Sequence, residues 1–520
     1  MSDPQKSATS QPTKMWSGRF REPLDRTFEQ WQRSFPFDWR LYECEISASI
    51  AHTRMLEAAG ILTADEAQTM VKGLNEISKL QNRWAHRIEV STPDPEFTPS
   101  TEQIGAAIVA SSPQAEDVHH FIELELTKLI GPLALKLHTG RSRNEQIATD
   151  MRLYISDTIG LTTRGLRMWI EALLDQATAA GDAVMPSYTH LQRAEPVLVA
   201  HWLLSYVSML ERDHDRLSDC LKRTAVCPLG SGAVAGATLP LDRTIAANIL
   251  FDGAITTNSM DATSDRDFML EFTQVLSILG LHISRFAEEL TLYATAEFNF
   301  IELPEAFSTG SSAMPQKKNP DLTELARGKS ARLVGAAVAL MTLVKGLPLA
   351  YNKDLQEGQE QIFDASETAL GLLSVLPNFT RALKFRFDVM QRAAETGYLN
   401  AMAAATYLSN KGVPFRKAHE IIGSAVRLGL DKNIELNDIP LEDLQQLSPE
   451  FTEDFYQAIS LTATLDCHDV PGGTATARVR EALTAAEQRL AAHSSQLAAE
   501  RTNPEPADPA STLHPLPSTL

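Results

Sequence analysis

The stretch Ser308-Thr-Gly-Ser-Ser-Ala-Met-Pro-Gln-Lys-Lys-Asn-Pro-Asp321 holds the side chains best suited to chemistry. Ser311 and Ser312 bring hydroxyls, Gly310 brings backbone freedom, and Lys317 and Lys318 bring two adjacent cations. Asn319-Pro320-Asp321 reads as a helix start, with Asn as the N-cap, Pro at the first helical position and an acid in the first turn. Hydroxyl, free N–H groups and positive charge at a helix N-terminus make an anion site with a proton-transfer group inside it. A second cationic stretch runs from Lys136 to Gln146, where Arg141 and Arg143 suit bidentate grip on carboxylates and Ser142 and Asn144 add neutral hydrogen bonds. His190, between Thr189 and Leu191, supplies an imidazole, a side chain suited to general acid–base work. Adjacent His119 and His120 face different sides of a helix and make a poor metal pair.

These stretches carry a resemblance. GSSAMPQKKNPD at 310–321 is similar to the signature of the fumarase/aspartase superfamily, whose members eliminate a group from succinyl substrates and release fumarate. Its fuller form resembles the argininosuccinate lyase branch. Further elements similar to that branch are Glu116–Glu123 (EDVHHFIE), 137–145 (LHTGRSRNE), Met185–Pro196 (MPSYTHLQRAEP), Cys227–Gly236 (CPLGSGAVAG), Asn258–Asp267 (NSMDATSDRD) and Tyr351–Gln356 (YNKDLQ). The match covers about residues 15–490, apart from an inserted stretch.

The resemblance implies roles. Ser311 is the base that removes a proton next to a carboxylate, and Lys317 with its N–H-rich loop steadies the dianion that develops. His190 is the acid for the departing nitrogen, and Glu324 pairs with that histidine, fixing its tautomer and raising its pKa. Arg141, Ser142, Asn144, Thr189, Lys318, Asn319, Tyr351 and Gln356 line the substrate pocket. Ser34 falls where the family has a substrate-contacting serine, and reads equally as a serine in a surface turn. His119 reads either as a polar contact near the site or as a plain helical histidine. No metal and no organic cofactor is implied. The partners implied are a small anionic, succinyl-containing substrate and three more copies of the chain. Each site of that homotetramer draws on three subunits.

Composition agrees with a soluble enzyme. The chain has 520 residues, 43% hydrophobic and 22% charged, with 66 acids against 47 bases and a net charge of −19. That balance disfavours broad nucleic-acid or anionic-membrane binding, so an anionic substrate needs a local cationic pocket. Cys44, Cys220, Cys227 and Cys467 form no CxxC pair, which points to a reduced, cytoplasmic protein. No membrane span, signal-peptide core or mitochondrial presequence is expected.

The elements that must position these groups are helices, so the fold expected is all-α: a three-domain fumarase/aspartase-type subunit with a central long-helix bundle. Residues 1–14 read as disordered and 15–140 as an N-terminal helical domain in which 91–115, rich in Ser, Thr and Pro, is an inserted surface loop. Residues 141–392 read as the central bundle. Within it, long helices are expected from Ile147 to Ala180, from Asp265 to Leu292, and over 320–345, the last about 39 Å long. Residues 393–501 form a small C-terminal helical domain, and 502–520 a disordered tail.

Several positions depart from the family pattern. Ser17 replaces a glycine, Glu145 an aspartate, Glu195 a glutamine, and Met402-Ala403 a Thr-Asp. Gly358 and Gln359 stand where an aspartate and a substrate-contacting lysine are usual. A lost lysine contact to an anionic ligand costs about 1.5–3 kcal/mol, so recognition of the arginine half of argininosuccinate is expected to be weakened or redirected. The leading expectation is cleavage of L-argininosuccinate to L-arginine and fumarate. The alternatives are fumarate release from a different N-substituted aspartate, and a non-catalytic, crystallin-like relative. Intact His190, Ser311, Lys317 and Glu324 speak against the last.

Overall fold

A computed structural model describes residues 22–91 and 98–502. The polar N-terminus, the Trp16–Phe20 motif, residues 92–97 of the insertion and the tail beyond 502 lie outside those residues. The described residues are predominantly helical, with three two-stranded antiparallel ribbons. The all-α expectation holds.

The N-terminal region contributes α1 (Tyr42–Ala58), α2 (Thr101–Ser111) and α3 (Val118–Ile130). The centre is a bundle of α4 (Arg143–Ala180), α5 (Val199–Thr224), α6 (Asp267–Tyr293), α7 (Asp321–Val344) and α8 (Gly358–Ala382). The longest, α4, has 38 residues and therefore spans about 57 Å at 1.5 Å per residue. It begins at a capping box, with Ser142 Oγ accepting from Asn144 N–H and Glu145 accepting from Ser142 N–H, and it stops at Gly181, whose φ is +54°. α6 lies along α7, and α4 lies against α5 and α8. The interior is aliphatic and aromatic, with Trp169, Phe272, Phe286 and Phe379 buried at its centre.

The C-terminal region has a core of its own, built from Tyr407, Leu408, Ile422, Phe451 and Phe455 around α9 (Phe415–Lys432). The last helix, α10 (Thr476–Thr502), returns to the bundle. It is pinned there by ion pairs from Arg480 to Asp182 at 2.6 Å and from Arg489 to Glu211 at 2.8 Å.

Two local expectations are corrected. The stretch expected as an inserted loop contains α2, an 11-residue helix. Ser100 and Gln103 close a capping box at its start, and Ile104, Gly105 and Ile108 turn one face onto Trp39. Flanking Ser, Thr and Pro had masked that short apolar face. Asn319 is not the N-cap of α7. Pro320 occupies that position, because Asn319 is paired with Thr309 in a small ribbon and its amide donates to the Thr309 hydroxyl at 3.2 Å.

The α2 docking has a direct test. A Cβ at Gly105 would lie 2.2 Å from the Trp39 ring. Gly105→Ala should destabilise the protein by roughly 1–3 kcal/mol through overpacking. An unchanged denaturation midpoint would mean that α2 does not rest on Trp39.

Candidate active site

His190 sits at the tip of a hairpin formed by β1 (Val184–Thr189) and β2 (Gln192–Leu198). The turn has only two residues, His190 and Leu191, and both have φ of +56°. That is the two-residue geometry that fits the right-handed twist of a hairpin and normally recruits Asn or Gly. Holding His and Leu there stores strain, which concentrates at functional positions. Both residues are exposed, as is Thr189 beside them. A cavity of about 580 Å³ opens next to His190 between Tyr188, Leu191, Leu292, Tyr293 and Phe298. Glu289 in its wall accepts hydrogen bonds from Trp202 Nε1 and the Tyr206 hydroxyl.

Ser311 opens the loop between β3 (Thr309–Gly310) and β4 (Lys318–Asn319). Its Oγ accepts from two backbone N–H groups, Ala313 at 3.3 Å and Met314 at 3.1 Å. Those donors steady negative charge on this oxygen, as a serine acting as base requires. Lys317 is exposed in the same loop, whereas Lys318 lies 3.8 Å from Glu302. The Asp321 carboxylate ties the loop down by accepting from Thr309 N–H at 2.6 Å, and hydrogen bonds from the Thr309 side chain and then its N–H hold it below the usual carboxylate range. Glu324 is exposed on the first turn of α7 and makes no contact with His190 among the described residues.

The remaining expected residues gather at the ends of α1, α3 and α4. Glu45 on α1 accepts from Ser49 Oγ at 2.6 Å, Gln146 Nε2 at 3.0 Å and His119 Nδ1 at 2.7 Å. Arg141 donates to Ser49 Oγ at 2.9 Å and lies 3.5 Å from Glu45, with its side chain fully buried. The guanidinium nearer solvent is Arg143, paired with Asp117 at 3.0 Å. Asp38 accepts from Val118 N–H, and burial followed by the Asp117 charge pushes it up to about 7. Ser34 N–H donates to the Glu116 carbonyl at 3.1 Å, and Gln356 Nε2 donates to the Gln32 carbonyl at 3.2 Å. Tyr351 is half-buried near Arg266. Asn144 Nδ2 donates to the Ala233 carbonyl at 3.1 Å.

Glu45, Asp38, Asp117 and Asp150 were missed in the sequence. The signal for Glu45 was a polar stripe, Glu45, Ser49 and His52, at i, i+4 and i+7 on a buried helix face. Potential ligand atoms of Glu45, His119 and Asp150 lie within 4.8 Å of one another. The contact between Glu45 and His119 is 2.7 Å, whereas two ligands on a tetrahedral ion at about 2.1 Å stand about 3.4 Å apart. With the Arg141 guanidinium alongside, this is hydrogen-bonding geometry.

The structure accounts for three departures from the family pattern. Glu145 spans two tasks, since its carboxylate closes the Ser142 cap and also accepts from Gly232 N–H at 3.0 Å. Glu195 lies 3.6 Å from His468, across to the C-terminal region. Gly358 packs against α7, where a Cβ would meet Leu340 at 3.0 Å and Leu343 and Met269 at 3.3 Å. Gln359, beside it, is 2% exposed with no partner for its Oε1.

Among the described residues, no hydrogen bond or ion pair joins the His190 hairpin, the Ser311 loop and the Arg141–Tyr351 group. The candidate residues therefore form three separate groups among the described residues. The Gly358 geometry yields a prediction. Gly358→Asp puts a carboxylate among Leu340, Leu343 and Met269 and should cost roughly 1–3 kcal/mol in chemical denaturation. A more stable variant would show that this position faces water.

Comparison with known proteins places the chain. The family pattern described as Lyase matches residues 18–335, and that described as Argininosuccinate lyase C-terminal matches 398–466. Argininosuccinate lyase of Acidobacterium capsulatum is 59% identical over 476 residues, covering 92% of this chain and 94% of that one. Argininosuccinate lyase of Koribacter versatilis is 51% identical over 479 residues, covering 92% and 98%. Among solved structures, EDDS lyase in complex with formate aligns with a TM-score of 0.74 at 24% identity, over 89% of this chain and 88% of that one. Such a likeness speaks to the fold alone. Taken with the helical bundle and the 310–321 loop, these matches place the chain in the argininosuccinate lyase family of the fumarase/aspartase superfamily.

Proposed function

We propose that the protein is a carbon–nitrogen lyase that cleaves L-argininosuccinate to L-arginine and fumarate, in arginine biosynthesis in the cytoplasm. The observation that carries the mechanism is Ser311 Oγ held by two backbone N–H groups in a lysine-bearing loop. Ser311, as the alkoxide, takes the proton from the succinyl carbon next to a carboxylate. The electron pair left on that carbon spreads into the carboxylate, whose growing charge Lys317 balances. The same pair then forms the carbon–carbon double bond as the carbon–nitrogen bond breaks. His190 gives its proton to the departing nitrogen, which leaves as the guanidino group of arginine.

Ser34, His119, Ser142, Asn144, Thr189, Lys318, Asn319, Tyr351 and Gln356 are assigned to substrate binding. Arg141, engaged with Glu45 and Ser49, is assigned to holding that surface from behind. Arg143 is the guanidinium left near solvent. These groups serve one reaction only if copies of the chain bring them together, so the working form proposed is a homotetramer with shared sites. An exposed apolar stripe on α7 supports this: Val334, Val338 and Met341 recur at i, i+4 and i+7 and are 38%, 53% and 45% exposed. Glu324 meets its histidine across such an interface.

Fumarate release from argininosuccinate is the deciding assay. Ser311→Ala should abolish turnover with fold and assembly intact, and His190→Asn should lose about 10²–10⁴-fold. Near-native turnover in either variant would reassign the roles. Sedimentation should show a tetramer, and a fully active monomer would refute shared sites.

A further inference from the structure

We infer that Glu45 and Asp150 hold one proton between them and act as the positioning pair for His119, turning its Nδ1 inward and leaving Nε2 for substrate. The functional half of this inference rests on the argininosuccinate reading above.

The three side chains come from α1, α4 and α3, and none is more than 1% exposed. Their surroundings differ sharply. Glu45 is supplied with donors from Ser49, Gln146 and His119, with Arg141 at 3.5 Å. Asp150 has none, since neither oxygen meets a hydrogen-bond donor and His119 Nδ1 is 3.5 Å away. A bare carboxylate in such a place costs several kcal/mol, and a second negative charge beside Glu45 costs more. A proton on Asp150 removes that charge and turns the group into a donor aimed at Glu45.

Charge balance agrees. Glu45 and Arg141 cancel, and a proton on Asp150 removes the second carboxylate charge from the dry cluster. Burial, then the Glu45 charge, push Asp150 well above the usual carboxylate range, against the pull of Arg141 and Arg143. Burial raises Glu45 as well, but Arg141 and His119 outweigh it and hold Glu45 well below that range. Asp117 on the N-cap of α3, Asp38 before α1, Arg143 on α4 and His52 on α1 are the further titratable groups around the cluster. Burial keeps His52 neutral, at about 3. With Nδ1–H committed to Glu45, Nε2 of His119 is the only ring nitrogen left for a ligand.

Infrared spectra of the full-length protein at pH 7 test the proton directly. Asp38 and Glu43, both at about 7, add to the carbonyl stretch of protonated acids at that pH. The band is therefore read as the native-minus-D150N difference, in which a component shifting in D2O should remain for Asp150. Asn copies the neutral acid, so D150N should fold and release fumarate within about threefold of the native rate. The folded-state pKa of Asp150 is raised, so its cost to stability grows as pH rises above its unfolded value. D150N should therefore melt above the native protein at pH 7, with the gap closing toward about pH 4. Glu45→Gln, which strips the acceptor charge from His119 and Arg141, should lower kcat/KM by about tenfold or more, mainly through KM, and move its pH profile. Glu45→Asp, which keeps the charge, should recover part of that loss and serves if E45Q fails to fold. The inference is overturned by an absent acid band, by a band unchanged in D150N, or by D150N as damaged as E45Q. A stoichiometric metal ion that leaves with Asp150→Asn would overturn it too. If the native chain releases no fumarate from argininosuccinate, the functional reading falls, and the infrared band still decides the proton.

Discussion

The buried pairing of Glu45 with Arg141 is the interaction on which the N-terminal half of the site depends. Glu45 arrives on α1 and Arg141 immediately precedes α4, so the pair fixes where two helices meet. Removing either partner strands a charge in a place water does not reach, which costs far more than an exposed pair returns. The same carboxylate orients His119 on α3 and Gln146 on α4. One acid thus sets the relative positions of three helices. The residues at the start of α4, Ser142, Arg143 and Asn144, inherit that geometry.

The groups proposed to move protons are placed by a different device. His190 and Ser311 lie on connections, held by tight local bonding in place of depth of burial. Paired strands bring His190 to a strained two-residue turn, and the Asp321 carboxylate closes the loop that carries Ser311. Long helices supply rigidity behind both, since the hairpin leads into α5 and the loop leads into α7. A β-branched or bulky residue is disfavoured in a turn with φ of +56°, so Leu191 persists there against local preference. Local conflict of this kind, kept beside the proposed acid His190, is what a functional position is expected to carry.

Much of this was legible in the sequence because the chemistry lies in contiguous words. The 308–321 loop, the His190 segment and the long helical periods each announce themselves over ten or more residues. The buried charge cluster was not legible, because Glu45, His119, Arg141 and Asp150 are scattered across about a hundred residues and only the packing of three helices brings them together. α2 was hidden for a related reason: its apolar face is only three residues long, and its partner, Trp39, lies far away in sequence. Asn319 was misread because a pairing with Thr309, ten residues earlier, outweighed its preference for a helix cap. Gly358 looked like a lost ligand-side aspartate, whereas its contacts with α7 give the glycine a packing reason of its own.

How an acidic chain binds a substrate with three carboxylates follows from the range of the charges. A net charge of −19 spread over this surface is screened within about 8–10 Å in physiological salt. Groups in contact with the ligand are not screened in that way. What matters is therefore how many local cations are already spent. Arg141 is committed to Glu45, Arg143 leans on Asp117, and Lys318 lies near Glu302. Lys317 makes no such ion pair among the described residues, and its charge is felt by Asp321 in the same loop. In the proposed reaction, charge appears beside Ser311 only once a proton has left the substrate. A cation at that spot would favour the transition state over the bound substrate, and only that difference accelerates a reaction.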